Sequence, residues 1–269
     1  MKNLFAISIV FVISLMSCNK GKPGTESTNE TARKIAIKGK NLSIDSIKVN
    51  DSLKIDKNLT IKFQSKILVF PTIKNKSVLD SIYAPKEIRL EEYSKDNLTA
   101  ALNLKMKEFY DEEKNSLQDF KPEFAQNWEK NSYMNLHSYN NNFLTIQYTV
   151  DGYTGGAHGY YFENYKVFDL QNNKTLQLSD IVANQDSKIW DLILMDNFIQ
   201  NDGDKGQVEM LLVKRIPLNH NFYFDKENLY FLYNQYEITA YAAGTVLIKV
   251  PLSDIKLLLT DEFIKRQNL

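Results

Sequence analysis

Nine residues in the middle of the chain, Asp151-Gly152-Tyr153-Thr154-Gly155-Gly156-Ala157-His158-Gly159, hold four of its ten glycines and one of its three histidines. Glycine at that density marks backbone that takes positive φ or lies close against another group. Two readings stand. In one, the backbone N–H groups of the loop, with Tyr153, Thr154, Gly155, Gly156, His158 and Gly159, face a ligand. In the other, the stretch is a tight bulged connection between strands, and His158 is satisfied by a neighbouring carbonyl. Turns are the commonest use of glycine, which favours the second.

Other chemistry finds little support. A serine elbow needs Gly-x-Ser-x-Gly, and a zinc protease needs His-Glu-x-x-His; neither is present. His137, His158 and His220 stand apart, without a ligand-type residue two to four positions on. They would have to converge in space to hold a metal. Carboxylates are abundant but not paired by any pattern, and no phosphate-binding glycine loop opens a helix. The sequence therefore indicates no catalytic residue, no metal and no cofactor. The enzymatic alternative is a hydrolase of cell-wall fragments that uses His158 and a carboxylate brought near it by folding.

The one cysteine carries a different chemistry. Lys2, the apolar run 4–15 and Leu15-Met16-Ser17-Cys18 read as a lipoprotein signal with its lipobox. The apolar run is too short to span a bilayer with margin. Residues 1–17 are expected to be removed and Cys18 acylated, so that lipid at the first mature residue joins the protein to a membrane. Asn19-Lys20 follow the cysteine with no Asp, which by convention favours the outer membrane. Lipidation of Cys18 leaves no thiol for a disulfide or a nucleophile. The full chain has a formal net charge of zero. That is no footprint for nucleic acid.

These residues must be positioned by a fold. Residues 18–34 lack apolar periodicity and read as a tether. Residues 35–73 read as strands with breaks at Asn50-Asp51 and Lys57-Asn58, ending at Pro71. A helix is expected from Asp96, as N-cap, to Leu117, with Leu98, Ala101, Leu102, Met106, Phe109 and Tyr110 on one face. Leu144, Ile146, Tyr148 and Val150 alternate with Thr145, Gln147 and Thr149 as a half-buried strand. A second strand covers 160–170, and Asn172-Asn173 turns the chain. Ser179 is the expected cap of a further helix, and 189–199, apolar nearly all round, should be a deeply buried one. A helix is expected near 207–215. Strands are expected at 222–224, 229–233, 237–241 and 245–250, with a closing helix over 251–259. Eight aromatic residues between Phe222 and Tyr241 read mainly as sheet core with hydroxyls at the rim. Strands and helices without βαβ regularity give an α+β fold, with antiparallel sheets, packed helices and two subdomains at 35–125 and 126–269.

Several motifs in fixed order carry a resemblance. They are Tyr153-Thr154-Gly155-Gly156-Ala157-His158-Gly159, Phe168-Asp169-Leu170, Leu176-Gln177-Leu178-Ser179-Asp180-Ile181, Asn221-Phe222-Tyr223-Phe224, Tyr236-Glu237-Ile238, Tyr241-Ala242-Ala243-Gly244 and Val250-Pro251-Leu252. The stretch 128–259 resembles the RsiV-type C-terminal domain family, domain of unknown function 3298. Residues 59–118 resemble the companion domain found ahead of the catalytic part in PdaC-type peptidoglycan deacetylases. The resemblance implies an extracytoplasmic sensing or binding module of the bacterial envelope. The relatives include anti-sigma factors whose outer part binds lysozyme. The chain shows no polysaccharide-deacetylase domain and no sigma-binding segment. The resulting expectation is a non-catalytic, lipid-anchored module whose partner is a protein or glycan, such as a lysozyme or peptidoglycan, with the loop 153–159 as its contact.

Overall fold

The computed structural model describes residues 42–117, 122–202 and 205–269. The lipobox, Cys18 and the expected tether lie outside the described residues. No described helix is long and apolar enough to cross a membrane.

The first hairpin joins β1 (Asp45–Lys54) and β2 (Leu59–Val69), antiparallel from Asp45↔Val69 to Lys54↔Thr60. Leu59, Ile61, Phe63, Ser65 and Ile67 are buried, while Thr60, Lys62, Gln64 and Lys66 are half-buried. That is the period-two pattern of a sheet with one covered face. The turn is held by the Asp56 carboxylate, which accepts the N–H groups of Asn58 and Leu59. After Pro71 come α1 (Lys76–Tyr83), capped by Asn75, and α2 (Lys95–Ser116). The cap of α2 is Ser94 rather than Asp96: its hydroxyl accepts the Asn97 N–H at 3.2 Å. Asp96 instead sits in the first turn, where a negative charge favours the helix dipole.

The chain then returns through β3 (Gln126–Asn140), β4 (Phe143–Tyr153), β5 (Tyr160–Asp169) and β6 (Lys174–Thr175). The six strands form one sheet in sequence order. Every neighbouring pair is antiparallel except β2 and β3, which run parallel from Leu59↔Gln126 to Lys66↔Tyr133. A parallel neighbour needs a crossover, and α1 with α2 supplies it. The sheet therefore continues across position 125. Helices α1 and α2 cover one face, where Ile67, Val78, Ile82, Leu98, Met134, Ile146 and Phe168 share a core. Leu59, Ile61, Phe63, Phe109 and Trp128 form a second cluster toward the glycine loop.

A smaller antiparallel sheet, β7 (Phe222–Phe224), β8 (Asn228–Tyr233) and β9 (Val246–Pro251), carries the third cluster with α3 (Leu178–Ile181), α4 (Ser187–Asp202) and α5 (Asp261–Gln267). Here the structure departs from several expectations. The cap of α3 is Gln177, with the Asp180 carboxylate accepting its N–H at 2.7 Å; Ser179 lies inside the helix. Helix α4 is not covered all round. Trp190, Leu194 and Phe198, a stripe with spacing of four, meet the core, whereas Leu192 is 67% exposed and Ile199 53%. A helix that looks uniformly apolar still has only one side against this sheet. The expected helix 207–215 is a 3-10 turn at Val208–Met210 followed by extended chain, with Leu211 bridging to Thr239. The expected strand 237–241 is reduced to that bridge and a 3-10 turn at Tyr241–Ala243. The closing helix lies at α5, capped by Thr260, instead of 251–259.

Two buried polar sites fasten the pieces. The Asp169 carboxylate, with no side-chain exposure, is paired with Arg266 of α5 and also accepts from Asn172. The Arg266 guanidinium lies 4.0 Å from the centre of the Phe143 ring. Burial pushes the Asp169 carboxyl up, but the Arg266 and Asn172 hydrogen bonds outweigh it and hold the group below the usual carboxylate range. Under the crossover helices, Lys86 is 9% exposed and donates to Ser132 Oγ at 2.5 Å. Burial, with the Lys130 charge adding to it, pulls its ammonium down to about 7.

Candidate functional site

The glycine segment is the hairpin connection between β4 and β5. Gly152 cannot carry a side chain, because a Cβ there would lie 2.2 Å from the Glu129 carbonyl oxygen on β3. Gly155 has φ +94° and lies against Trp128, whose ring would be 3.3 Å from a Cβ. These glycines shape the loop. Tyr153 donates its hydroxyl to the Gly156 carbonyl at 3.0 Å, tying the loop across itself. Thr154 and Gly155 are half-buried, whereas Gly156, Ala157 and His158 are exposed.

His158 is fixed from two sides. Its Nδ1 is 2.7 Å from the Gly159 carbonyl oxygen. A carbonyl only accepts, so Nδ1 donates its proton there. Nε2 faces the Tyr236 hydroxyl at 3.5 Å. The ring stacks on Tyr241 with centroids 4.1 Å apart and a tilt of 31°, and the Tyr241 hydroxyl donates to the same Gly159 carbonyl at 3.0 Å. Tyr236 completes a group of three rings, 6.5 Å from His158 and 5.8 Å from Tyr241. It is 59% exposed and has φ +67°, a left-handed conformation that costs a residue with a Cβ about 1–2 kcal/mol. Among the described residues, the hydrogen-bond partners of His158 are a carbonyl and a phenol.

Sequence reasoning singled out the loop and the aromatic segment separately. The structure joins them through contacts 78 and 82 residues apart. It also sorts the aromatics: Phe222, Phe231 and Tyr233 are core, while Tyr236 is at the surface. The three histidines do not meet, and among the described residues no group of three His, Cys, Asp or Glu side chains is placed to hold a metal.

A second polar arrangement was not legible in the sequence. On the face of the large sheet away from α1 and α2, Lys66 donates to Asn135 at 2.9 Å, Asn135 to Gln147 at 3.4 Å, and Gln147 to Glu163 at 2.6 Å. The hydroxyls of Tyr165 and Tyr161 close on the same carboxylate at 2.7 and 2.9 Å. Burial, then the Glu163 hydrogen bond, push both phenols well above their ordinary value. A bulge between Leu136 and Ser138 turns His137 edge-on to Tyr165 and Tyr223, with centroids 5.0 and 4.4 Å away. Burial lowers the His137 pKa, against the charges of Glu163 and Asp225. At the outer edge of β5, ahead of its short pairing with β6, side-chain amides replace a strand. Asn221 accepts from the Tyr165 N–H and donates to the Glu163 carbonyl, both at 2.8 Å. Asn234 accepts the Glu163 N–H at 2.7 Å. Beside them opens a cleft of about 510 Å³, lined among others by Asn164, Lys166, Thr175, His220 and Glu237.

Comparison with known proteins follows this division. Residues 55–161 match the family model described as Deacetylase PdaC, and residues 169–253 match the one described as Protein of unknown function (DUF3298), in that order. The glycine loop falls in the first match, and Tyr236 and Tyr241 in the second. A crystal structure of a DUF3298 family member from Bacteroides fragilis is similar at 23% identity and a TM-score of 0.67, over 84% of this chain and 97% of the other. A DUF3298 family protein from Pseudomonas aeruginosa is similar at 16% identity and a TM-score of 0.53, over 83% and 97%. Both share the fold. No curated protein matches the chain.

Proposed function

We propose that the protein is a non-catalytic binding or sensing module of the bacterial envelope, joined to a membrane, in the outer-membrane position, through lipid on Cys18. Its ligand is a protein or glycan of the cell wall, such as a lysozyme or peptidoglycan, met at loop 153–159. The observation that carries this reading is the group made by exposed His158 and Tyr236 with half-buried Tyr241, gathered at a braced hairpin. Rigid aromatic side chains give large contact area at low entropic cost. The lipobox, the match to the PdaC model and the RsiV-type resemblance support the envelope location. The polar contacts of His158 suit presentation better than proton transfer.

The test is a pull-down against purified lysozymes, alongside sedimentation with peptidoglycan, for the chain lacking residues 1–33. Retention by one of them, weakened in His158→Ala with the melting temperature intact, is the expected result. Turnover of a wall substrate that vanishes in His158→Ala would overturn the non-catalytic reading in favour of a hydrolase. Intact-mass measurement of membrane-extracted protein checks acylation at Cys18, and a mature form starting elsewhere refutes the anchor.

A further inference from the structure

We infer that the outer edge of β5, at Tyr165 and Val167, takes one residue of a short extended peptide running parallel to the strand. This is a second site, separate from the loop 153–159 and independent of the reading above.

The strand edge is the first argument. In an antiparallel ladder the backbone groups of alternate residues face opposite edges. Those of Glu163, Tyr165 and Val167 face away from β4. Asn221 and Asn234 bond to the first two, and the Val167 carbonyl accepts the Leu176 N–H at 2.8 Å. The pairing with β6 stops at Phe168↔Thr175. Between the amides and β6, the Tyr165 carbonyl and the Val167 N–H therefore have no partner on this edge among the described residues. An open strand edge is a template for another backbone, and an orphaned N–H in a folded protein is rare.

The protein itself shows what fits there. One step back along β5, the Asn221 carboxamide accepts the Tyr165 N–H and donates to the Glu163 carbonyl, both at 2.8 Å. It bridges a carbonyl and the N–H two residues on, across Asn164. The same bracket recurs unfilled across Lys166, from the Tyr165 carbonyl to the Val167 N–H. In a parallel ladder one residue of the incoming chain fills such a bracket, donating its N–H to the first group and accepting at its carbonyl from the second. The acetamido group of a sugar does not fit, because a trans secondary amide carries its N–H and C=O on opposite sides.

The surroundings agree. The cleft of about 510 Å³ runs along this edge, with Tyr165, Lys166 and Val167 in its wall. Thr175 lines the same cleft, and its buried hydroxyl has no hydrogen-bond partner among the described residues. Three unmatched polar groups on one cavity are the pattern of a site that its ligand completes. The free edge is one bracket long, between Asn221 and Leu176, so it reads the backbone of a short peptide.

The experiment uses the full chain in detergent, isotope-labelled at valine, and follows the Val167 amide resonance. The probes, at millimolar concentration, are N-acetyl-trialanine methylamide, the same peptide N-methylated at every amide, and chitotriose. The expected result is a saturable shift of the Val167 resonance with the first peptide and none with the other two. Thr175→Val should melt at or above the temperature of the parent chain, since it removes an orphaned hydroxyl, and should bind the peptide at least threefold more weakly. A Val167 resonance that the peptide does not move overturns the site. Equal binding of the N-methylated peptide, or of chitotriose, overturns the backbone bracket, and affinity unchanged in Thr175→Val overturns the cleft as its setting.

Discussion

Replacing Lys86 by Met should stabilise the protein, and by an amount that depends on pH. The ammonium lies 9% exposed beneath the crossover helices, and burial takes its pKa from 10.5 to about 7. Below pH 7 both the folded and the unfolded chain carry the proton, and the folded state bears the full penalty of a buried charge. At 1.36 kcal/mol per pH unit, that penalty is at most about 5 kcal/mol. Between pH 7 and 10.5 the unfolded chain binds more protons than the folded one, so the stability of the parent chain rises with pH across this window. Met removes the penalty but also the hydrogen bond to Ser132 Oγ, at about 1–3 kcal/mol. The net gain is about 2–4 kcal/mol at pH 6, which corresponds to roughly 5–15 °C in melting temperature for a chain of this size. Above pH 10.5 the order reverses, because only the lost hydrogen bond remains. Urea unfolding of both proteins at pH 6, 8 and 10 reads the difference directly, and titrations elsewhere cancel. A difference that stays constant over this range, or a variant less stable at pH 6, would refute the buried-charge argument.

Helix α4 separates covered from uncovered positions. Leu194→Ala should cost about 2–5 kcal/mol as a core cavity, and Leu192→Ala less than about 0.5, read from chemical denaturation. Arg266→Ala leaves the Asp169 carboxylate without its guanidinium and should cost about 3–5 kcal/mol at neutral pH. Because the folded pKa of Asp169 is depressed, the stability it contributes is present above pH 3.8 and is lost as pH falls through the folded value, so the variant and parent should converge in acid. Gly152→Ala sets a Cβ against the Glu129 carbonyl and should lower the melting temperature while disrupting the hairpin beside it, visible as changed amide resonances over 153–160.

How far the sequence reaches depends on where each pattern is made. Strand β4 and helix α2 were legible because alternation and a spacing of three and four are local, although β4, expected to be half-buried, is covered on both faces, with Thr145 and Thr149 buried as well as Leu144, Ile146 and Tyr148. Helix α4 misleads for the same reason: its apolar residues run all round, and only the sheet decides that Trp190, Leu194 and Phe198 face inward. Strand β3 gave little sign of itself. Its outer face carries Glu129, Asn131 and Asn135, and its inner face includes Lys130 and Ser132, so alternation is blurred on both sides. Its parallel partner β2 lies more than fifty residues earlier, which no local window reveals. The loop was legible by its glycines. Its junction with Tyr236 and Tyr241 was not, because it depends on how the small sheet meets β5.

Strand β5 has a consequence for how such a chain can be inherited. The first family match ends at residue 161, just inside the strand, and the second begins at its last residue, 169. Yet it pairs with β4 along one edge, from Tyr160 to Asp169, and is closed along the other by Asn221 and Asn234 at Glu163 and Tyr165 and by β6 at Phe168 and Asp169. Recombination that separates the segments leaves one of them without this strand, or leaves the strand with backbone groups unbonded on one edge. Any second segment joined to this strand must supply bonding for that outer edge, as Asn221, Asn234 and β6 do here. Strand β5 is thus shared physically by both segments, although two sequence patterns describe them.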